Sequence, residues 1–88
     1  MAWTVSFEPR ALNELRKLGH LIQRRIVKFL QERVSGQRNP RESGKPLSGD
    51  KVGLWRYRIG DYRLICHIDD EKRAVLVLRV AHRKQAYR

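Results

Sequence analysis

Cysteine is almost missing from this chain, and acid is scarce. Cys66 is the single thiol. That excludes an internal disulfide framework and any cysteine-based zinc site, since both need partner thiols. No apolar run approaches the roughly 20 residues that cross a bilayer, so no membrane partner is expected. The opening residues Met1 to Glu8 carry no basic stretch followed by an apolar one. They do not read as a signal peptide, and the expected compartment is the cytoplasm. Asp and Glu number 9 against 20 Lys and Arg, leaving a net charge of +11 on 88 residues. Solubility alone asks for a net charge of roughly 2–8 on a small domain. The excess, with a sequence pI near 10.9, points to nucleic acid, a ribonucleoprotein or an acidic protein as partner.

What is present fits one domain over 1–88, with a single compact core. Trp3, Val5 and Phe7 alternate with Thr4 and Ser6, which reads as a short strand. Pro9 suits the first position of a helix. Ala11, Leu12, Leu15 and Leu18 follow at helical spacing, and Gly19 is placed to end that helix in a left-handed cap. A second helix over about 21–34 carries the stripe Ile22, Ile26, Phe29, Leu30 and Val34. Residues 35–51, with three Gly and two Pro, form a long loop in which Leu47 reads as the anchor to the core. Three strands follow. In the first, Trp55, Tyr57 and Ile59 share one face and Arg56 and Arg58 the other. Gly60-Asp61 is a two-residue hairpin turn. Beyond it Tyr62, Leu64, Cys66 and Ile68 face one way, with Arg63, Ile65 and His67 opposite. After the polar turn Asp69 to Lys72, Ala74–Ala81 is a nearly unbroken apolar run, as suits a central strand. The expectation is an α+β domain: an N-terminal strand, a helical hairpin on one face, then a three-strand antiparallel meander.

A tight Gly60-Asp61 turn pairs Ile59 with Tyr62 and sets Arg58 opposite Arg63. Arg56 lies about 7 Å from Arg58 on the same face. Like charges across a hairpin are destabilising, so folding alone does not favour this row. Asp61 is the only acid between Lys51 and Asp69. Guanidinium groups grip phosphate bidentately and keep their charge at neutral pH. A cluster of them suits the charge of a pentacoordinate phosphorane. RNA brings its own nucleophile, the 2′-OH, so cleavage asks for no metal. None is expected: His20, His67 and His82 are not spaced as zinc ligands, and Asp69, Asp70 and Glu71 read as turn chemistry. His20 reads as structural or solvated, and His67 as a bystander on the arginine face. Arg83 and Tyr87 can fold back toward the cluster, with His82 as the backup base. Lys45, Lys51, Arg79 and Lys84 extend the basic surface as candidate RNA contacts.

The segments Ser6-Phe7-Glu8-Pro9-Arg10-Ala11-Leu12, Leu47-Ser48-Gly49, Trp55 to Leu64 and Val80 to Tyr87 resemble the RelE/ParE superfamily of toxin–antitoxin toxins. The resemblance covers essentially the whole chain and is strongest in Gly60-Asp61-Tyr62-Arg63-Leu64 and in His82-Arg83 followed by Tyr87. It is similar above all to the RelE branch. That likeness implies a metal-independent endoribonuclease, without cofactor, that cuts mRNA in the ribosomal A site and is silenced by a cognate antitoxin. By the same likeness Arg56 and Arg58 match the basic strand pair, Arg63 the arginine after the turn, and Arg83 and Tyr87 the C-terminal arginine and tyrosine. RelE itself has Lys-Lys at the strand pair and a longer spacing before its tyrosine. The ParE branch shares the fold but inhibits DNA gyrase without nuclease chemistry. It stands as the alternative, against which Arg63, Arg83 and Tyr87 speak.

Overall fold

The computed structural model describes residues 2–49 and 53–85. Strand β1 (Thr4–Phe7) leads into helix α1 (Pro9–Arg16) and helix α2 (His20–Arg33). A 3₁₀ turn (Pro40–Glu42), the two-residue strand β2 (Lys45–Pro46), and strands β3 (Trp55–Ile59), β4 (Tyr62–Asp69) and β5 (Ala74–His82) complete the order. Pro9 opens α1 as the sequence implies. Gly19 does not act as a left-handed cap: Lys17 closes α1 in a right-handed conformation, and Gly19, at φ −63°, is the N-cap of α2. The Gln23 side chain closes the α1 end instead: its Nε2 donates to Leu18 O in the link at 2.7 Å and reaches Arg16 O, in the last turn, at 3.4 Å. Orphan carbonyls at a helix end need some donor, and here a side chain supplies it.

Both helices lie on one face of a five-stranded sheet ordered β1-β5-β4-β3-β2. Ala11, Leu15, Ile26, Leu30 and Val34 pack there on Tyr57, Ile59, Leu64, Cys66, Val75, Val77 and Val80. The β3–β4–β5 meander is antiparallel as expected, but the sheet is mixed and larger. Strand β1 pairs parallel with β5, Thr4 opposite Ala74 through Phe7 opposite Val77. That pairing makes β5 an interior strand and accounts for its apolar run. β2 adds a short edge, Lys45 opposite Arg56.

The loop is held by Pro40, which is fully buried, and not by Leu47, which is half-exposed. Tyr57 Oη donates to Pro40 O at 2.6 Å, and Trp55 Nε1 donates to Ser43 O at 2.8 Å. Two aromatic residues of β3 therefore fix the loop by its carbonyls. Burial drives the Tyr57 phenol far above its ordinary pKa, so it serves only as a donor. Gly44, at φ +80°, lies beneath this contact. A Cβ there would run into Arg56 O and come within 2.6 Å of Trp55 Nε1.

One irregularity shapes the site. Ile65 pairs with Arg79, yet Cys66 pairs with Val77, so Leu78 is an extra residue in β5. Such a bulge exchanges the two faces of the strand beyond it. Val75 and Val77 face the helices before the bulge, and Val80 does so after it.

Candidate active site

The site grows from the β3–β4 turn. Gly60, at φ +58°, takes the left-handed conformation a two-residue hairpin requires. Ile59 pairs with Tyr62 and Arg58 with Arg63. On β5, Ala81 lies beside Arg63 and Arg79 beside Ile65. Arg56, Arg58, Arg63 and Arg79 thus occupy neighbouring rows of the face turned away from the helices.

Arg63 is the buried member, 8% exposed. Its Nη1 donates to Gly60 O and to Tyr62 O, each at 3.0 Å. Carbonyls of the turn fix the guanidinium without neutralising it, and no carboxylate among the described residues pairs with it. Arg83 meets the same turn. Its backbone N–H donates to Asp61 O at 2.7 Å, and its Nε lies 3.8 Å from Asp61 Oδ1. Asp61 is largely exposed, so this ion pair is weak and readily exchanged for another anion. Three successive residues, Gly60 to Tyr62, therefore hold both arginines.

The remaining candidates separate. Arg58 is exposed and Arg56 half-buried on β3, with Lys45 opposite Arg56. Arg79 is engaged elsewhere: its Nε donates to both Glu14 oxygens, at 3.3 and 3.1 Å. Glu14 Oε1 also accepts the Val80 N–H at 3.0 Å. Lys84 is exposed, and its N–H donates to His82 Nδ1 at 3.3 Å. His82 pairs with Tyr62, and their rings meet edge to face at 5.6 Å. It shares the helix-side face with Tyr62, across the sheet from Arg63. His67 is exposed on the arginine face, opposite Leu76. Lys51 and Tyr87 lie outside the described residues. No group of three or more His, Cys, Asp or Glu suited to a metal ion occurs among the described residues.

Two helix residues join the basic surface that the sequence does not flag. Arg25 and Arg33 of α2 line concavities with Arg58, and Arg33 shares a second one with Arg56 and Lys45. The Arg25 guanidinium reaches the turn, 3.0 Å from where a Cβ on Gly60 would stand. A helical wheel marks these arginines as outward but cannot say that β3 lies beside them.

Fold and site together define a small, strongly basic α+β domain with an arginine-faced hairpin. The model of the ParE toxin of type II toxin–antitoxin system parDE matches residues 5–87. The chain is 41% identical to toxin RelG of Mycobacterium tuberculosis over the whole chain and 99% of that protein. It is 34% identical to the mRNA interferase toxin RelE of Escherichia coli, covering 98% of this chain and 88% of that one. Among solved structures, the toxin–antitoxin complex RelBE2 of M. tuberculosis superimposes with a TM-score of 0.79 at 36% identity, over 93% of this chain and 99% of that one. The free E. coli RelE mutant gives 0.78 at 31% identity, over 98% and 88%. The chain belongs to the RelE/ParE superfamily of type II toxin–antitoxin toxins, in its RelE-like branch.

Proposed function

We propose that this protein is the toxin of a type II toxin–antitoxin pair and an endoribonuclease that cleaves mRNA in the cytoplasm, in the ribosomal A site. The observation that carries the reading is the pairing of Arg63 and Arg83 on one turn, with Arg63 held by carbonyls and not by an acid. Relatives named mRNA interferases support it. So do solved complexes of RelE with RelB for a cognate antitoxin as partner.

In this mechanism the 2′-OH attacks the adjacent phosphorus, and the bond to the 5′ oxygen breaks. Arg63 carries the developing charge on the phosphorane, since a fixed donor aimed at that charge needs no reorganisation. Arg56 and Arg58 grip the RNA backbone, together with Lys45, Lys51 and Lys84. Arg79, already bound to Glu14, contributes to the field rather than as a free ligand. Arg83, tied loosely to Asp61, swings to the leaving oxygen. Tyr87 takes or orients the 2′ proton, or stacks on a base. His82 lies across the sheet from Arg63, so the backup-base role is not part of this mechanism, and the leaving oxygen takes its proton from water.

The test is cleavage of mRNA on programmed ribosomes at the Mg²⁺ they require, with analysis of the new ends. A 2′,3′-cyclic or 3′ phosphate is expected, and a 2′-deoxy nucleotide at the scissile position should block cleavage. New ends bearing 3′-hydroxyl and 5′-phosphate, or cleavage of the 2′-deoxy substrate, overturn the mechanism. The ParE name of the matching family model favours a second reading, a gyrase poison. It predicts inhibited DNA supercoiling with intact mRNA.

A further inference from the structure

At the end of the sheet away from the Gly60-Asp61 turn, a second basic concavity of about 350 Å³ opens between the β1 start, the loop after α2 and the β4–β5 turn. Trp3, Arg38, Arg41, Asp70 and Arg73 line it, with Asn39 contributing polar surface. Its one carboxylate is committed. Asp70 accepts both ends of the Arg41 guanidinium, at 2.8 and 3.0 Å. Asp70 also feels the charge of Arg73, so the hollow sets three guanidinium groups, those of Arg38, Arg41 and Arg73, against one carboxylate and keeps two positive charges in excess. Arg73 sits over the Trp3 ring at 5.7 Å, which holds its guanidinium at the wall. It also has the only positive φ, 53°, among the described residues other than glycine. Glycine or asparagine takes that conformation with less strain, so a turn selected for folding alone would not put arginine there. Strain of this kind collects at functional sites.

We propose that the concavity bounded by Trp3, Arg38 and Arg73 binds a phosphate group. Two guanidinium groups on a wall, with a fixed aromatic beneath one of them, match a tetrahedral dianion or a backbone phosphodiester. Asp69 lies seven residues along β4 from Tyr62, about 23 Å at roughly 3.3 Å per residue. One phosphate cannot reach both ends, so this site is separate from the hairpin cluster. The ligand is either a backbone phosphate of an RNA strand or a free phosphate compound. The inference does not rest on the cleavage reading, and its test is read without cleavage.

The experiment follows the two indole N–H signals by NMR in an Arg83→Ala background, during titration with pyrophosphate and, separately, with a 2′-O-methyl RNA decamer. Saturable shifts of Trp3 and of the Arg73 amide are expected, with a smaller one at Trp55, whose ring lies 6.0 Å from the Arg41 guanidinium of the same hollow, and none at the amide of Leu21 on the exposed side of α2. Arg38→Ala and Arg73→Asn should each weaken that response about tenfold, the loss of one charge-assisted hydrogen bond. Arg24→Ala, which removes the same charge from the outer face of α2, should change it less than twofold. Arg73→Asn relieves the backbone and should melt no lower than its parent, so lost binding there is not lost folding. A response to RNA alone assigns the ligand as backbone phosphate, and one to pyrophosphate assigns a free phosphate compound. Trp3 and Arg73 signals unmoved by either titrant, or variants that bind as the parent does, overturn the proposal.

Discussion

In the proposed mechanism, Arg63 is the residue on which chemistry and architecture meet. Its guanidinium is buried against Gly60 O and Tyr62 O, so its removal takes away a pre-aimed donor. Losing one such donor typically costs on the order of 10²–10³ in rate. Arg63→Ala should therefore lower single-turnover cleavage by that factor, while Arg24→Ala leaves it within about twofold of the parent. Equal losses would mean that bulk charge drives the activity. Cys66 makes a different prediction. It is fully buried, and burial pushes its thiol up to about 12. A pKa raised in the folded state gives stability that is intact below the unfolded value and declines as pH climbs toward the folded one. The window is therefore pH 9 to 12. Urea midpoints should fall across that range and fall less in Cys66→Ala, and a thiol reagent at pH 7 should label the native protein only as fast as it opens.

At the scale of elements, the β3–β4 hairpin was legible because its signals are local. Gly60-Asp61 fixes the turn, the turn fixes the register, and the register sets Arg58 opposite Arg63. The β1–β5 pairing, the Glu14 contacts and the neighbourhood of Arg25 and Arg33 depend on residues distant in sequence. The bulge at Leu78 was hidden for a different reason. Val75, Leu76, Val77 and Leu78 are apolar without interruption, so no alternation exists in which a change of phase is visible. Adjacency to Arg83 suggests a place for His82 near the arginines, yet its pairing with Tyr62 keeps it on the opposite face. Glu14 accepts Val80 N–H just beyond the bulge, with Arg79 alongside. A hydrogen bond to a charged group contributes about 1.5–3 kcal/mol. Glu14→Leu should lose stability of that order, Glu14→Gln less, and hydrogen exchange at Val80 should quicken in both. In the loop, Gly44→Ala combines a left-handed φ with backbone overlap at Arg56 O. Gly60→Ala meets only the end of the Arg25 side chain. Chemical denaturation should rank Gly44→Ala as the more damaging, by at least ~1 kcal/mol.

For the molecule as a whole, charge governs encounter. With +11 on 88 residues, association with the antitoxin should be steered by charge, so its on-rate should drop steeply between low and physiological salt while the off-rate changes little. Stopped-flow and dissociation kinetics on the intact complex measure both. An on-rate indifferent to salt would put antitoxin recognition on a surface other than the basic one. No helix among the described residues is long and apolar enough to cross a membrane.

The direct opposition of Arg58 and Arg63 carries one more consequence, a trade between activity and durability. Two like charges facing each other across a hairpin cost roughly 0.2–1 kcal/mol, so the row proposed to grip RNA is kept at the expense of the melting temperature. Arg58→Gln should melt higher than the parent while cleaving RNA more slowly. A screen that selects for thermal resistance alone would then discard the arginine first and return a well-folded protein with its toxicity blunted.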